Sequence, residues 1–452
     1  MRDVRSEIEL KTSNSKKAYE KDSEVLGQLV TGTLSIPHPI YVKEADGSRI
    51  TDVDGNEYID LTMGFGPHIL GHAHPTVVNA VKKAADRGLQ YALHNPYQEP
   101  LARLLVEASP CAEKVVFCNS GTEATMYAIR AARAYSGKKK IAVFDGSYHG
   151  AHDYALVRVK GDSPIDSPSF SPMGFGIPEE TLSTVMMLPF RSEKAFDIIR
   201  ENKDELALVM IEPVQSSNPR LNHADWLREL REVCREANVL FMFDEVITGF
   251  RLCYGGAQEF FGITPDIATY GKVLGGGMPL GAIAGNKNIM EVFSRGANDP
   301  EAYTNEGIGL PGIFAAGTFN GNPLAMAAGY AAVTHLRDNP EIYKHLADQS
   351  NRIANEINDF CQIQELPAQL LSGLSVFYLR IQKGGPIESS RDIDDSMKEA
   401  DESFFMHLLN NGVVVPGVHQ FHISASHTEE DVSNVIEAFK KAFMAVRAEG
   451  LM

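Results

Sequence analysis

The sequence predicts an α/β protein in which helices flank a mostly parallel sheet. From about residue 76 to residue 325, helical stretches alternate with short apolar runs, which read KVVFC, KIAVF, LALVMI, VLFMF and DIATY. Such alternation is typical of a parallel sheet with helices on both faces. Each run then meets a polar residue and a turn, as buried parallel strands do. Because ligands of open α/β sheets bind at the carboxyl ends of the strands, we expect a functional site there.

The composition favours a cytoplasmic, enzyme-sized protein. At 452 residues, the chain is long enough for two or three domains with a large core. Its net charge of -17 argues against nucleic acid or an anionic membrane as a partner, because both repel an acidic protein. Five dispersed cysteines without a CxxC pair suit a reducing compartment. The N-terminus lacks the apolar core of a signal peptide, and no apolar run is long enough for a membrane span.

We expect three segments along the chain. Residues 1–70 predict a polar helical arm and a small antiparallel sheet, since Asp54-Gly55 is a hairpin signal between β-prone flanks. Residues 71–325 predict the large domain, which contains the alternating strands and helices. Residues 326–452 predict a smaller C-terminal domain, and an amphipathic pattern over residues 430–447 predicts its closing helix.

The GHAHP stretch contains two histidines, a residue type that commonly binds metal ions. His72 and His74 have no third ligand nearby in the sequence, so we favour a turn over a metal site. Pro75 follows at a position where proline commonly opens a helix. We therefore predict no metal.

Asp244 and Lys272 end two of the predicted strands, VLFMF and DIATY. A carboxylate and an amine so placed suit a cofactor with a basic ring nitrogen at one pole and an aldehyde at the other. Pyridoxal 5'-phosphate (PLP) is such a molecule, since lysine bonds its aldehyde and aspartate keeps its ring nitrogen protonated. Taken singly, a lysine after a strand is usually a solvated surface charge, and an Asp-Glu pair is usually part of a helix N-terminus.

The turn after KVVFC predicts a phosphate-binding site. Ser120, Gly121 and Thr122 lie where this strand passes into a helix. Free backbone N–H groups, two hydroxyls and a glycine at a helix N-terminus can cradle a phosphate. Ser120 and Glu123 also form a capping-box pattern, and the two interpretations are compatible.

Further polar and aromatic residues follow the other predicted strands. Tyr148 could stack on a flat heterocycle, with His149 in support, although an ordinary aromatic turn is an equal alternative. Glu212 could hydrogen-bond the cofactor or groups at the sheet edge. Thr318 belongs to a donor-rich turn that could add a hydroxyl to a phosphate.

Taken together, these stretches resemble the class III (fold-type I) PLP-dependent aminotransferases. Within that family they resemble the branch of glutamate-1-semialdehyde 2,1-aminomutase and D-phenylglycine aminotransferase. The resemblance covers residues 50–330 through DVDGNEYID, GHAHP, NSGTEA, YHG, IEP, FDEVITGFR, PDIATYGKVLGGGMPLGA and GTFNGNPLAMAAG. It implies a large domain with a mostly parallel sheet, and a smaller α+β domain built from both termini.

The resemblance also assigns roles to individual residues. Lys272 would be the Schiff-base lysine and proton shuttle, and Asp244 would pair with the pyridinium nitrogen. Val246 would pack on the ring face opposite Tyr148. Thr318 would reach the phosphate of the neighbouring subunit, which implies a homodimer with active sites at its interface. The phosphate ligands within the chain would be Ser120, Gly121 and Thr122.

The sequence departs from the aminomutase pattern where the substrate carboxylate would bind. The N-terminal arginine of that pattern is absent, with His38 near its place. The chain also has no arginine from residue 392 to residue 446, where many relatives carry a carboxylate clamp. We therefore expect amines, β-amino acids or aromatic amino acids as substrates. The cations that could reach them are Arg251, His38, His94, His419 and His422.

We predict an aminotransferase that exchanges an amino group between an amino acid or amine and a keto or aldehyde acceptor. Within PLP chemistry, an aminomutase and a racemase remain as alternatives. A non-catalytic PLP-binding or phosphate-binding scaffold is an alternative from another class. The paired aspartate and lysine weigh against a scaffold, because a scaffold would not need a protonated ring nitrogen.

Overall fold

The computed structural model describes residues 3–27, 37–160, 163–164, 166–294, 312–384, 390–392, 396–416 and 420–452. In chain order its strands are β1 (Val42–Asp46), β2 (Arg49–Asp52), β3 (Glu57–Asp60), β4 (Lys114–Cys118), β5 (Lys140–Phe144), β6 (Val157–Val159), β7 (Phe170–Pro172), β8 (Val185–Leu188), β9 (Leu206–Ile211), β10 (Leu240–Glu245), β11 (Ile267–Tyr270), β12 (Gly281–Gly285), β13 (Ala368–Ser372), β14 (Val376–Ile381), β15 (Val413–Val414) and β16 (Phe421–His422).

The α-helices alternate with these strands through the middle of the chain. In order they are α1 (Val4–Lys11), α2 (Ser13–Asp22), α3 (Pro75–Ala85), α4 (Gln98–Ala108), α5 (Gly121–Ser136), α6 (Glu179–Leu182), α7 (Lys194–Glu201), α8 (Ala224–Glu236), α9 (Gly256–Phe261), α10 (Lys287–Met290), α11 (Pro323–Asp338), α12 (Glu341–Ile363), α13 (Lys398–Asn410) and α14 (Glu429–Ala448). None of the helices in the described parts of the chain is both long and apolar enough to cross a membrane.

The chain divides into two compact units. The first, which we call the terminal unit, contains residues 1–75, 217–220 and 341–452. The second, which we call the central unit, contains residues 76–216 and 221–340. Both chain termini therefore lie in one unit, as the family resemblance implies. The sequence-based divisions at 70/71 and 325/326 stay a prediction about domains, whereas the compact units divide at 75/76 and 340/341.

The central unit contains a seven-stranded sheet in the order β4-β12-β11-β10-β9-β5-β8. The strands from β11 to β8 pair in parallel, and β12 runs antiparallel to both of its neighbours. Every side chain of β9 is buried, as expected of a strand covered on both faces. Helix α5 packs across β9, β11 and β12, and α8 packs on β10. The α/β prediction with a parallel-rich sheet is confirmed.

All five strands that the apolar runs predict are present in this sheet. Strands β8 and β12 complete it, and their sequences, VMML and GAIAG, lie outside those runs. Strand β12 is rich in glycine and alanine for a steric reason. A Cβ atom on Gly281 would lie 2.2 Å from the Ser120 carbonyl oxygen, so no side chain fits at this position.

The terminal unit has an α+β architecture with two small sheets. Its four-stranded sheet has the order β1-β2-β3-β15, and a three-stranded sheet has the order β13-β14-β16. The Asp54-Gly55 turn joins β2 to β3 as an antiparallel hairpin, as predicted. Asp54 also caps helix α2, because its carboxylate accepts hydrogen bonds from the backbone N–H groups of Asn14 and Ser15 at 2.8 and 3.0 Å. One turn residue thereby fixes both the hairpin and the N-terminal arm.

Further sequence-based expectations concern α3, α14 and the histidines of the GHAHP stretch. Pro75 opens α3, and α14 covers the predicted closing helix with a capping box between Thr428 and Asp431. His72 is paired with a carboxylate, since its Nε2 lies 2.7 Å from Asp60 Oδ2. Among the residues that the structure describes, no cluster of three or more His, Cys, Asp or Glu side chains could hold a metal ion.

Candidate active site

A cavity of about 220 Å³ lies in the central unit at the carboxyl ends of its parallel strands. It is lined by Ser120, Gly121, Thr122, Thr125, Tyr148, His149, Gly150, Glu212, Asp244, Val246, Ile247 and Lys272. Nine of the ten residues predicted to bind a cofactor are in this set. The remaining one, Thr318, is exposed and does not line this cavity, and its backbone carbonyl accepts a hydrogen bond from Gln90 Nε2.

The carboxylate of Asp244 accepts three hydrogen bonds from the protein. Its Oδ2 atom accepts a hydrogen bond from His149 Nδ1 at 2.8 Å. Its Oδ1 atom accepts one from the Val246 backbone N–H and one from Thr269 Oγ1, both at 3.1 Å. Asp244 is 5% exposed, so its carboxylate oxygens depend on these donors rather than on water for their hydrogen bonds. The arrangement fixes the orientation of the carboxylate plane.

Lys272 follows β11 immediately after Gly271 and opens a short 3₁₀ turn over Lys272–Gly275. Its φ angle of 45° lies in the left-handed region, which is strained for a residue with a side chain. Burial lowers the pKa of its amine to about 8, and the nearby charge of Arg251 acts in the same direction. Compared with an ordinary lysine, a larger fraction of the amine is thus neutral and nucleophilic near neutral pH.

The turn between β4 and α5 presents a helix N-terminus to the cavity. Ser120 is the N-cap residue, and its Oγ atom accepts the Glu123 backbone N–H at 3.1 Å. Glu123 completes only half of the predicted capping box, because its carboxylate accepts the N–H of Asn119 instead. Helix geometry leaves the N–H groups of Gly121 and Thr122 without intrahelical partners, so they can bind an anion.

Glycine at position 121 is a requirement of close packing. A Cβ atom on Gly121 would lie 2.8 Å from Val246 Cγ1, so the turn between β4 and α5 lies close to Val246, two residues after Asp244. Gly150 is constrained in the same way, since its φ is 103° and a Cβ there would meet Thr122 at 2.8 Å. These two glycines bring the turns that follow β4, β5 and β10 around one space.

The backbone of the turn that contains Tyr148 and His149 is fixed by hydrogen bonds to Glu212 and Thr125. The Tyr148 backbone N–H donates to Glu212 Oε2 at 2.9 Å, while its ring remains 48% exposed. Burial raises the pKa of Glu212 to about 7, and the neighbouring Asp244 charge adds to the effect. Thr125 Oγ1 donates to the His149 carbonyl at 2.7 Å. The backbone of Tyr148 is therefore fixed, while its ring remains exposed and available for stacking.

Several residues of the site carry no recognisable signal in the sequence. Thr125 lies in the helix interior, where threonine is unremarkable, and Gly150 and Ile247 are ordinary turn residues. Gln215 does not line the cavity but supports the turn before Tyr148, since its buried amide donates to the Asp145 carbonyl at 2.7 Å and to Ser147 Oγ at 3.2 Å. Thr269 lies within the apolar run DIATY, and only its pairing with β10 reveals the contact with Asp244.

The residues predicted to hold substrate lie in different parts of the structure. Arg251 is buried in the turn that follows β10, and it is not among the residues that line the cavity. His38 and His422 are buried in the terminal unit, where His38 Nε2 lies 3.2 Å from Thr12 Oγ1. His94 is exposed in the central unit. His419 lies outside the described residues.

The fold and the cavity together define a PLP-dependent transferase of fold type I. Residues 33–443 match the family model "Aminotransferase class-III", and the chain belongs to that family. The sequence-based predictions of the family, of an enzyme of this class and of PLP as its cofactor are thereby confirmed.

Known relatives share this architecture over nearly their whole length. The chain is 40% identical to a glutamate-1-semialdehyde 2,1-aminomutase from Methanocaldococcus jannaschii, over 96% of this chain and 99% of the relative. It is similar in structure to an omega-transaminase from Sphaerobacter thermophilus, with a TM-score of 0.88, 32% identity, and coverage of 96% and 98%. It is also similar to a beta-phenylalanine aminotransferase from Variovorax paradoxus, with a TM-score of 0.84, 28% identity, and coverage of 99% and 96%.

Proposed function

We propose that the chain is an aminotransferase in which Lys272 bonds the aldehyde of PLP and Asp244 pairs with its ring nitrogen. One observation carries the proposal. The amine of Lys272, the carboxylate of Asp244 and the N-terminus of α5 line one cavity of about 220 Å³. PLP has one group for each of them, namely an aldehyde, a basic ring nitrogen and a phosphate.

The donor set of the cavity fits PLP. The first-turn N–H groups of α5 and the hydroxyls of Ser120 and Thr122 suit the phosphate. Tyr148 offers an exposed ring face for stacking, and Val246 offers an apolar surface for the opposite face. His149 Nε2 is buried without a hydrogen-bond partner among the described residues, which favours an additional polar group in the cavity.

Lys272 and Asp244 divide the chemistry between them. Bound PLP supplies an electron sink for the bond that is broken at the substrate carbon. Asp244 holds the ring nitrogen in its charged form, because an ionised carboxylate favours a proton on its partner. Lys272, with its pKa lowered to about 8, takes the proton from the substrate carbon and returns it. Amino transfer then follows in two half-reactions with two different substrates.

For the substrate, we propose an amine, a β-amino acid or an aromatic amino acid. The stretches where relatives supply a clamping arginine contain none in this chain. The similarity to an omega-transaminase and to a beta-phenylalanine aminotransferase supports the same classes. A buried carboxylate left without a partner would cost several kcal/mol, so a substrate carboxylate would need histidine or backbone donors.

An aminomutase is the second candidate. The 40% identity to an aminomutase over nearly the whole chain favours it. In that reaction the amino group would move within glutamate-1-semialdehyde, giving 5-aminolevulinate without a second substrate. The departures at the carboxylate-binding stretches favour the aminotransferase instead.

A substrate screen separates the two candidates. The PLP-loaded protein is mixed with an aromatic amine, an aromatic β-amino acid, an α-amino acid or glutamate-1-semialdehyde, and the visible absorbance of the lysine-bound cofactor is followed. We expect the first two to discharge it and to need a keto acid for turnover. Conversion of glutamate-1-semialdehyde faster than any amine, without an added acceptor, would establish the aminomutase. The Lys272→Ala protein is the blank.

The role of Arg251 is tested with a matched pair of substrates. If Arg251 bound the substrate carboxylate, Arg251→Ala would raise KM for a β-amino acid but not for its decarboxylated amine. We expect both KM values to change equally. A histidine clamp would instead raise KM for the acid as pH rises through the imidazole pKa, whereas an arginine clamp would be insensitive to pH in this range. Arg251→Lys is the control for charge.

We also propose a homodimer in a reducing, cytoplasmic compartment. The central unit exposes several large apolar side chains on two segments, around Gln90 and around Thr318. A hydrogen bond from Gln90 Nε2 to the Thr318 carbonyl joins these segments. These apolar side chains are Leu89, Leu93, Phe314 and Phe319. Exposed apolar side chains that cluster on a surface are typical of a protein–protein interface. All five cysteines are free, which suits a reducing compartment.

A further inference from the structure

Thr269 lies directly beside Asp244 in the central sheet. The two residues face each other in the parallel register between β10 and β11. Thr269 is 0% exposed, and its Oγ1 lies 3.1 Å from Asp244 Oδ1. A hydroxyl buried this deeply requires a hydrogen-bond partner, and the carboxylate provides it.

The bond from Thr269 is one of three hydrogen bonds that the two oxygens of the Asp244 carboxylate accept. On Oδ1, Thr269 and the Val246 N–H donate, whereas on Oδ2 the donor is His149. Donors on both oxygens oppose rotation of the carboxylate about its Cβ–Cγ bond. The three donors come from β11, from the turn after β10 and from the turn after β5. Only the Thr269 donor is a side chain on the strand that leads into Lys272.

We propose that Thr269 is a positioning residue that orients the Asp244 carboxylate against the ring nitrogen of PLP and donates a hydrogen bond to its negative charge. The inference rests on the proposed function, in which Asp244 pairs with that nitrogen. A donated hydrogen bond stabilises the charged form of a carboxylate. Without it, Asp244 competes more strongly for the proton that it shares with the ring nitrogen. The ring then carries less positive charge and withdraws electrons less effectively.

A second consequence follows from the position of Thr269 in the chain. Thr269 lies three residues before Lys272, so β11 both fixes Asp244 and delivers the lysine. The strand that donates to Asp244 is therefore the same strand that leads to the lysine. A purely structural hydroxyl in the sheet would affect folding stability without changing the protonation of the cofactor.

The test compares three threonine variants. Thr269→Val removes the hydroxyl with almost no change in shape, and Thr269→Ser retains it. Thr334→Val is the matched control, since the Thr334 hydroxyl in α11 has no hydrogen-bond partner among the described residues. For each protein we would measure PLP affinity by titration of the apoprotein, the pH dependence of the absorbance of bound PLP, kcat and KM, and the melting temperature of the apoprotein.

We expect Thr269→Val to bind PLP about three- to tenfold more weakly, and to lose a similar factor in kcat with KM little changed. Its absorbance should titrate at a different pH from that of the wild type, while Thr269→Ser and Thr334→Val resemble the wild type. Unchanged PLP affinity, kcat and absorbance in Thr269→Val would overturn the inference, as would equal losses in Thr269→Ser.

Two further outcomes remain informative. If Thr269→Val does not fold, Thr269→Ala removes the same donor and is compared with Thr269→Ser under the same criteria. A wild-type protein that does not hold PLP on Lys272 would overturn the proposed function itself. A wild type that holds PLP normally, with no difference among the variants, would overturn only the role of Thr269.

Discussion

Asp244 lies in β10 opposite Thr269 of the neighbouring parallel strand β11, and Lys272 follows three residues after Thr269, just beyond the end of β11. Parallel pairing places the carboxyl ends of both strands at the same edge of the sheet. A carboxylate and an amine that are 28 positions apart in sequence thereby line one cavity. The chemistry of the site depends on this pairing register.

Lys272→Ala should abolish the covalent attachment of PLP and reduce turnover by at least about a hundredfold, because both the bond and the proton carrier are lost. Borohydride reduction followed by mass spectrometry of the peptides measures the attachment. Lys287→Ala, at an exposed lysine of α10, is the control and should behave as wild type. A reduced PLP adduct that persists in Lys272→Ala would mean that another lysine holds the cofactor.

Asp244→Asn should retain the shape of the site and lose its charge. A charged hydrogen bond contributes roughly 2–3 kcal/mol, which corresponds to a loss of about 30- to 150-fold in kcat. Steady-state kinetics at saturating PLP measures the effect, so that weaker cofactor binding does not contribute. Turnover close to that of the wild type would contradict the pairing of Asp244 with the ring nitrogen.

Capture of PLP by the apoprotein should accelerate as the pH rises through about 8. Burial lowers the pKa of Lys272 from 10.5 to about 8, and only the neutral amine attacks the aldehyde. The rate should therefore level off above that pH rather than continue to increase toward 10.5. Stopped-flow absorbance over pH 6–10 on the wild type, with free lysine as the reference reaction, checks this expectation.

Glu212 should make the apoprotein less stable as the pH rises from about 4.5 to about 7. Its pKa is raised to about 7 in the folded protein, so the folded state retains a proton that the unfolded chain has released. The resulting stability is fully present below pH 4.5 and is lost as the pH approaches 7. The expected size is on the order of 1–3 kcal/mol.

Glu212→Gln isolates this effect, because the amide oxygen can still accept the Tyr148 N–H and does not titrate. The difference in melting temperature between wild type and Glu212→Gln should change across pH 4.5–7 and stay constant above it. A difference that is independent of pH would show that Glu212 does not titrate in this range.

If Thr318 completes the phosphate site of a neighbouring subunit, the PLP-bound protein should sediment as a dimer. PLP should also stabilise that dimer by linkage, raising its melting temperature in proportion to the logarithm of PLP concentration. Thr318→Val should weaken PLP binding by a few fold while leaving the sedimentation of the apoprotein unchanged. A fully active monomer would contradict the shared site.

The sequence predicts the residues that line the site better than it predicts the residues that hold them in place. Lys272 and Asp244 are recognisable because each interrupts an apolar strand pattern with a charged group. Strand β12 has no such pattern, because Gly281 must be small to pack against Ser120. Thr269 and Gln215 act through contacts between segments distant in sequence, and the pairing of strands is what creates those contacts. Local periodicity does not contain that information.

The left-handed backbone conformation of Lys272 is unfavourable for folding stability, although the reaction requires a lysine at this position. A lysine at φ 45° is destabilised by about 1–3 kcal/mol relative to a residue that tolerates this conformation. Glycine at position 272 would relieve that strain but leave no amine for the cofactor. Backbone strain and catalysis therefore favour different residues at this one position.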